Sequence, residues 1–230
     1  MAASETAAAG LPAGGSRRAL AWAPVVVVAA GGFGILAARL SLPVAKSGYF
    51  PWIVGRGLGL AAFAGLAVLV ALGLWARHPW QARVRLLHPE TTLRLHASLA
   101  AGTTVLVAGH VVFLATDKYA GVGWVGALLP GAAVYRPLPV ALGVAALWTL
   151  LAVAASARLG GRLVGRAWLP IHHLSIPMFA AAFAHGVLAG SDTPTLRAGY
   201  AAVGSAIVLL WLTRRLARRP EVPGRPEVAG

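Results

Sequence analysis

Histidines are the side chains of this chain whose type and position best suit chemistry. Seven occur, and five of them stand inside long apolar stretches, where ionisable side chains are costly and usually functional. The five are His96, His110, His172, His173 and His185. Imidazole is an axial ligand of haem iron and also a ligand of zinc and copper. The other two, His78 and His88, lie in a basic segment and are expected to be solvated loop residues.

The spacing of His96 and His110 places both side chains on one face of a helix. Their separation of 14 residues returns to within about 40° of the same direction and raises the second residue by about 21 Å. Two ligands on one face, one near each side of a membrane, suit two stacked cofactors.

The spacing in the later stretch is less regular. His185 follows His172 by 13 residues and His173 by 12. An ideal helix places these two pairs about 140° and 120° apart, so neither pair shares a face. Pro177 lies between them and can alter the local winding. Helix geometry alone therefore does not choose between His172 and His173.

The composition indicates that these stretches cross a membrane. Apolar residues make up 58% of the 230 residues and charged residues only 11%, whereas a soluble domain carries about 25% charged residues. The apolar residues form six runs of about the 20 residues that a membrane-crossing helix needs. These runs are 19–40, 53–76, 92–115, 137–157, 171–189 and 196–213. We therefore expect an all-α integral membrane protein, a six-helix bundle with its sites between the third and fifth helices.

The ends of the chain are expected to carry no folded domain. Residues 1–18 are rich in Ala and Gly and predict a disordered tail, and residues 214–230 predict a basic and then Pro-rich tail. The run that begins at residue 19 is longer than the 7–15 apolar residues of a signal peptide, so we expect it to be a retained helix. The membrane domain then covers residues 19–213.

Charged residues predict the orientation. Lys and Arg number 14 in one set of alternate segments and 6 in the other. The positive-inside rule then places both termini in the cytoplasm and residues 119–135 outside, in a cell inner or plasma membrane. The basic residues lie between apolar runs instead of forming one patch, so membrane lipid is the expected partner and nucleic acid is not. The chain has no cysteine, which excludes disulfides, thiolate catalysis, iron–sulfur clusters and cysteine zinc sites.

The two stretches that carry histidine are the third and fifth runs, which cross in the same direction. His96 and His172 are therefore expected near the cytoplasmic level, and His110 and His185 near the outer level. Two facing histidines at each level make two bis-histidine haem sites. Zinc or copper fits less well, because neither level offers a carboxylate or thiolate. Simple hydrogen bonding between helices is the other alternative, which four histidines matched at two levels disfavour.

Neighbouring residues allow two interpretations each. Small residues at 100–102 and 180–182 would give a flat porphyrin room, or would serve close helix packing. Four arginines near the membrane boundaries would pair with haem propionates, or would hold the helices at the interface. The four are Arg56, Arg94, Arg136 and Arg166.

The paired spacing His-x13-His and His-x12-His resembles the ferric reductase-like transmembrane domain, the family of NADPH oxidase and ferric reductase membrane cores. Further matching segments are Gly55-Arg56-Gly57-Leu58, Tyr135-Arg136-Pro137-Leu138, Trp168 to His172, His185-Gly186 and Gly190-Ser191-Asp192-Thr193. The resemblance covers roughly residues 20–213. It implies two haem b groups, and it selects His172 over His173. The implied axial ligands are His96, His110, His172 and His185.

The resemblance also implies a function. Members of the family commonly carry a flavin and nicotinamide domain, but this chain ends 17 residues after Thr213 and has no Gly-rich nucleotide motif. We therefore expect a stand-alone haem core, an oxidoreductase subunit that takes electrons from a separate cytoplasmic flavin reductase. Its outer acceptor would be ferric iron, oxygen, quinone or a periplasmic protein. A non-catalytic haem-binding anchor subunit and a haem-free transporter or assembly factor are the alternatives.

Overall fold

Every secondary-structure element in the described part of the chain is a helix. A computed structural model describes residues 48–82, 84, 88–159 and 167–217. Within these ranges the helices are α1 (Phe50–Ala76), α2 (Pro89–Thr116), α3 (Gly123–Leu128), α4 (Pro137–Leu159), α5 (Trp168–His173), α6 (Ser175–Ala189) and α7 (Thr193–Leu216), with a 3-10 turn at Pro79–Ala82.

Five stretches of the described residues are long and apolar enough to cross a membrane. They are α1, α2, α4, α5 together with α6, and α7. The chain is therefore a multi-pass membrane protein. The predicted first run, 19–40, and the predicted tail, 1–18, lie outside the described residues, so the sixth crossing stays a prediction.

Proline sets the beginning of several helices. Pro89 and Pro137 are the first residues of α2 and α4, and Pro194 stands in the first turn of α7. Proline suits a first turn because the N–H that it lacks has no partner within the helix there. Of these three helices, α2 and α7 begin three residues before the predicted apolar runs, and α4 begins at the predicted residue. At the other end α7 continues to Leu216, past the predicted boundary at 213, and the rest of the tail from residue 218 lies outside the described residues.

The crossing formed by α5 and α6 is interrupted at Leu174. The N–H of Leu174 donates to the carbonyl of Ile171 at 3.0 Å, and regular helical bonding resumes where Met178 donates to Leu174 at 2.9 Å. The physical cause is Pro177, which lacks the N–H that would bond to the carbonyl of His173 and crowds that carbonyl with its ring. The predicted effect of Pro177 on the winding is thus seen three residues upstream of it, at Leu174.

α1 and α2 are antiparallel and meet closely through glycine. A Cβ at Gly55 would lie 2.9 Å from Leu114, and a Cβ at Gly65 would lie 2.5 Å from the hydroxyl of Thr103. Side chains from α1, α4 and α6 form a buried cluster. The members of that cluster are Leu66, Ala67, Val70, Leu74, Ala146, Leu150, Met178 and Phe179.

His78 was expected to be a solvated loop residue, and this expectation was wrong. Its side chain is only 3% exposed. Its Nδ1 accepts the backbone N–H of Trp80 at 3.1 Å, and its Nε2 lies 3.2 Å from the hydroxyl of Thr213. It also stacks on Trp75, with ring centroids 5.7 Å apart. His78 therefore joins the end of α1 to the end of α7, whereas His88 is exposed as expected.

Candidate functional site

Four of the five candidate histidines form two facing pairs between α2 and the α5–α6 crossing. The ring centroids of His110 and His185 are 6.2 Å apart, and those of His96 and His172 are 6.1 Å apart. His173 is exposed and belongs to neither pair. On an ideal helix His172 and His185 would point about 140° apart. The interruption between α5 and α6 changes the winding, so that both side chains face α2.

The rings of the His110–His185 pair are both held by backbone carbonyls. Nδ1 of His110 lies 2.7 Å from the carbonyl oxygen of Gly55 in α1, and Nδ1 of His185 lies 2.8 Å from that of Pro139 in α4. A carbonyl oxygen only accepts, so Nδ1 carries the hydrogen in both rings and Nε2 keeps its lone pair. Metal-ligating histidines make this same bond, which fixes the tautomer and the ring orientation.

A glycine four residues after each of these carbonyls makes room for the ring. A Cβ at Gly59 would lie 2.6 Å from Nδ1 of His110, and a Cβ at Gly143 would lie 2.6 Å from Nδ1 of His185. Real Cβ atoms do not approach so closely, so no other residue fits without displacing the imidazole. The same arrangement, a carbonyl at one position and a glycine four later, thus occurs on both sides of the pair.

A largely apolar cavity contains this pair. Its wall includes both imidazoles, both glycines of the preceding arrangement and side chains from α1, α2, α4, α6 and α7. At one end of the cavity the guanidinium of Arg56 forms an ion pair with Asp192 and lies over the ring of Trp52, 4.0 Å from its centroid. The ion pair joins α1 to the turn between α6 and α7.

The carbonyl end of α6 is capped by neighbouring segments. The hydroxyl of Tyr135 donates to Ala189 at 3.1 Å, and Nη1 of Arg136 donates to Leu188 at 2.6 Å. The hydroxyl of Thr193 donates to Val187 at 2.8 Å. Carbonyls at a helix end need such partners because the helix itself leaves them unpaired. These bonds fix the height of His185 within the crossing.

The four arginines proposed as propionate partners therefore differ in their surroundings. Beside the cavity, Arg56 pairs with Asp192 and Arg136 donates to the carbonyl of Leu188. Arg94 pairs with Glu90 on the exposed first turns of α2. Arg166 lies outside the described residues.

The His96–His172 pair has the same separation but fewer contacts. Nδ1 of His172 is buried and makes no hydrogen bond with any residue that the structure describes. Its ring lies 5.8 Å from that of Trp168. A Cβ at Gly73 would lie 3.4 Å from His96, which is an ordinary contact. This pair is thus less tightly held than the His110–His185 pair.

The ring separation in both pairs is that expected of two opposed imidazole ligands of one metal ion. An imidazole nitrogen lies about 2.0 Å from a metal and about 1.1 Å from its own ring centre, so two opposed ligands have centroids roughly 6.2 Å apart. Tetrahedral zinc needs three or four protein ligands. Among the described residues no group of three or more His, Cys, Asp or Glu could hold a metal. Two facing imidazoles are a donor set that suits an ion needing two protein ligands, as haem iron does.

The small residues singled out in the sequence do not all serve this site. Ala101 and Gly102 are exposed on the outer side of α2, and a Cβ at Gly102 would meet nothing within 4 Å. Ala182 does line the cavity, and room for the two imidazoles is made by Gly59 and Gly143. The sequence alone could not single out Gly59 and Gly143, because their role depends on the register between helices.

Comparison with protein-family models, curated proteins and solved structures finds no match to this chain.

Proposed function

We propose that this chain is a membrane cytochrome b that holds two haems between its paired histidines and passes electrons across the membrane. The observation that carries the proposal is the separation of both histidine pairs, 6.1 and 6.2 Å, in one membrane-crossing bundle. The residue pattern that resembles the ferric reductase-like transmembrane domain supports the same function.

The residues of the chain would act by binding and orienting. His96 and His172 would hold one haem, and His110 and His185 the other. Bound haem supplies one-electron transfer. In the His110–His185 pair, the Nδ1–H bonds to carbonyls raise the basicity of both imidazoles and fix the direction of the rings. The apolar side chains between the pairs keep water out of the path between them.

The proposal includes a direction, from the cytoplasm outward. Electrons would enter at the His96–His172 end from a separate flavin reductase, because Arg77, Arg158 and Arg215 make that end basic and exposed. A basic surface attracts an acidic partner and speeds its encounter. The acceptor at the other end would be ferric iron, oxygen, quinone or a periplasmic protein.

The haem-free alternative has one observation in its favour. His110 and His185 do hydrogen-bond to other helices, as polar contacts between membrane helices would. Two features favour ligation over this alternative. The bonds use Nδ1 and leave Nε2 as a lone-pair donor, and the buried Nδ1 of His172 makes no such bond among the described residues.

Visible spectra of the purified protein test the proposal. After expression with haem supplied, dithionite reduction should give sharp b-type bands, and the pyridine haemochrome should give two haems per chain. His172→Ala should lose about one haem, whereas His173→Ala, the adjacent matched control, should keep both. Monodisperse, folded protein without these bands would exclude both the electron-transfer and the haem-anchor functions. Loss of haem in His173→Ala alone would reverse the ligand assignment.

A further inference from the structure

Residues 119–135, which lie between α2 and α4, contain no charged side chain. Lys118 and Arg136 flank this segment, and residues 119–135 between them are apolar, glycine, alanine, proline or tyrosine. Large apolar side chains are exposed along it. They include Trp124, Val125, Leu129 and Val134, of which Val125 is 64% and Leu129 57% exposed. A loop in water would expose polar groups instead.

The segment is hydrogen-bonded to the middle of a membrane-crossing helix. Nε1 of Trp148 donates to the main-chain carbonyl of Leu128 at 2.9 Å. Trp148 is the twelfth of the 23 residues of α4 and lies midway between the flanking Arg136 and Arg158. An indole and its hydrogen bond reach less than about 10 Å from the helix position, whereas half of the hydrocarbon core is about 15 Å thick. The carbonyl of Leu128 therefore lies at the depth of the hydrocarbon.

The inner side of the segment packs against α4. Val122 packs on the buried cluster of Ala133, Val140 and Val144. A Cβ at Gly126 would lie 2.8 Å from the Cα of Ala133, so the two limbs of the segment touch. Glycines with positive φ form its turns: Gly121, Gly123 and Gly131. Only glycine adopts these angles without strain. The segment thus turns back tightly on itself beside α4.

We propose that residues 121–134 re-enter the membrane, with the outer side of α3 in contact with lipid acyl chains. Non-helical backbone is tolerated at membrane depth only where its polar groups are satisfied by protein. The Trp148 bond to Leu128, and the bonds from Leu129 to Val125 and from Ala132 to Leu129, satisfy part of this main chain within the protein. The side chains that α3 exposes, Trp124 and Val125 among them, are apolar, which suits contact with acyl chains. Lipid is therefore its partner.

The position of the segment gives it a further role. Val122 and Ala127, both within the segment, line the cavity that contains His110 and His185. The re-entrant segment is thus the wall between that cavity and the bilayer. This inference concerns the fold of the wall and holds whether or not the histidines bind haem.

The absence of cysteine makes the test direct. Single-cysteine variants of the full chain in lipid nanodiscs carry a nitroxide at Val125 or Leu129. The lipid-facing control is Val105, which is 72% exposed on α2, and the water-facing control is Lys118. We expect oxygen to relax the label at both test positions several times more effectively than a water-soluble nickel chelate does, as at Val105. A ratio like that at Lys118, or protection from both relaxants as under a protein partner, would overturn the proposal.

Trp148→Phe tests what holds the segment at this depth. The substitution keeps an aromatic ring and removes the only N–H of that side chain. With the Leu128 carbonyl unpaired, we expect the nickel chelate to reach the label at Val125 more readily, with no change at Val105. Trp124→Phe leaves the Trp148 bond in place and is the matched control. An unchanged ratio at Val125 in Trp148→Phe would show that this bond does not hold the segment in the membrane.

Discussion

The two histidine pairs differ in how firmly the bundle holds them, although their ring separations agree to within 0.1 Å. Both rings of the His110–His185 pair donate to a carbonyl and lie over a glycine, and an ion pair lies at one end of their cavity. The His96–His172 pair has a buried Nδ1 without a bond among the described residues, and looser contact with its glycine.

This difference shows that ligand spacing and ligand orientation have separate origins. The 14-residue spacing of His96 and His110 along α2 sets the heights of the two pairs. The orientation of each ring depends on the helix that faces it, since a carbonyl and a glycine one turn later must stand opposite the imidazole. Binding of a metal group to oriented rings costs less ordering than binding to mobile ones. The His110–His185 pair is thus the better prepared of the two.

Glycine substitutions should separate the pairs most strongly. In Gly59→Ala and Gly143→Ala the new methyl would lie 2.6 Å from the imidazole, and such overpacking costs about 1–3 kcal/mol. Without a clash, replacing glycine by alanine would stabilise a helix by about 1 kcal/mol. A loss of stability would therefore be caused by the clash. We expect each variant to lose about one of two haems, measured by the pyridine haemochrome, and to melt at a lower temperature.

Gly73→Ala is the matched control for this prediction. Its methyl would lie at an ordinary 3.4 Å from His96. We therefore expect it to keep both haems and to melt at the same or a higher temperature. If Gly73→Ala lost as much haem as Gly59→Ala, the two pairs would be held equally tightly, and the difference between them would not be real.

The sequence was sufficient for the five described crossings, whereas the choice of His172 over His173 as the partner of His96 came from the family resemblance and not from helix geometry. The five described crossings agree with the predicted runs within a few residues, because apolar run length and proline positions decide them. The register between helices could not be read from one chain, so the carbonyls of Gly55 and Pro139 were missed. His78 was misjudged for a related reason. Its burial depends on Thr213, which lies 135 residues further along the chain.

Removal of Asp192 should have a smaller effect, confined to the better-held end. Arg56 and Asp192 are 27% and 38% exposed, so the pair is partly screened. We expect Asp192→Ala to cost about 1–2 kcal/mol of stability, between the values for exposed and buried pairs. Glu90→Ala breaks the exposed pair with Arg94 and should cost less than about 0.5 kcal/mol. Chemical or thermal denaturation in one detergent compares them, and equal losses would mean that the Asp192 pair adds no more than a surface pair.

The smallest expected effect concerns the other end of the bundle, where His78 joins α1 to α7. His78→Phe keeps the ring that stacks on Trp75 and removes both hydrogen bonds, to Trp80 and Thr213. The hydroxyl of Thr213 still donates to the carbonyl of Leu209, so the loss falls mainly on one backbone N–H.

An N–H left without its acceptor costs about 1 kcal/mol, and that is the loss of stability we expect from His78→Phe. The same substitution at the exposed His88 should change stability by less than about 0.5 kcal/mol. Because His78 lies at the end that holds His96 and His172, the haem proposed for that pair should also dissociate faster, while the haem proposed for the other pair is unaffected. Transfer of haem to an added apoprotein measures both rates. A slower release at that end, or equal acceleration at both pairs, would show that His78 does not support the more weakly held pair.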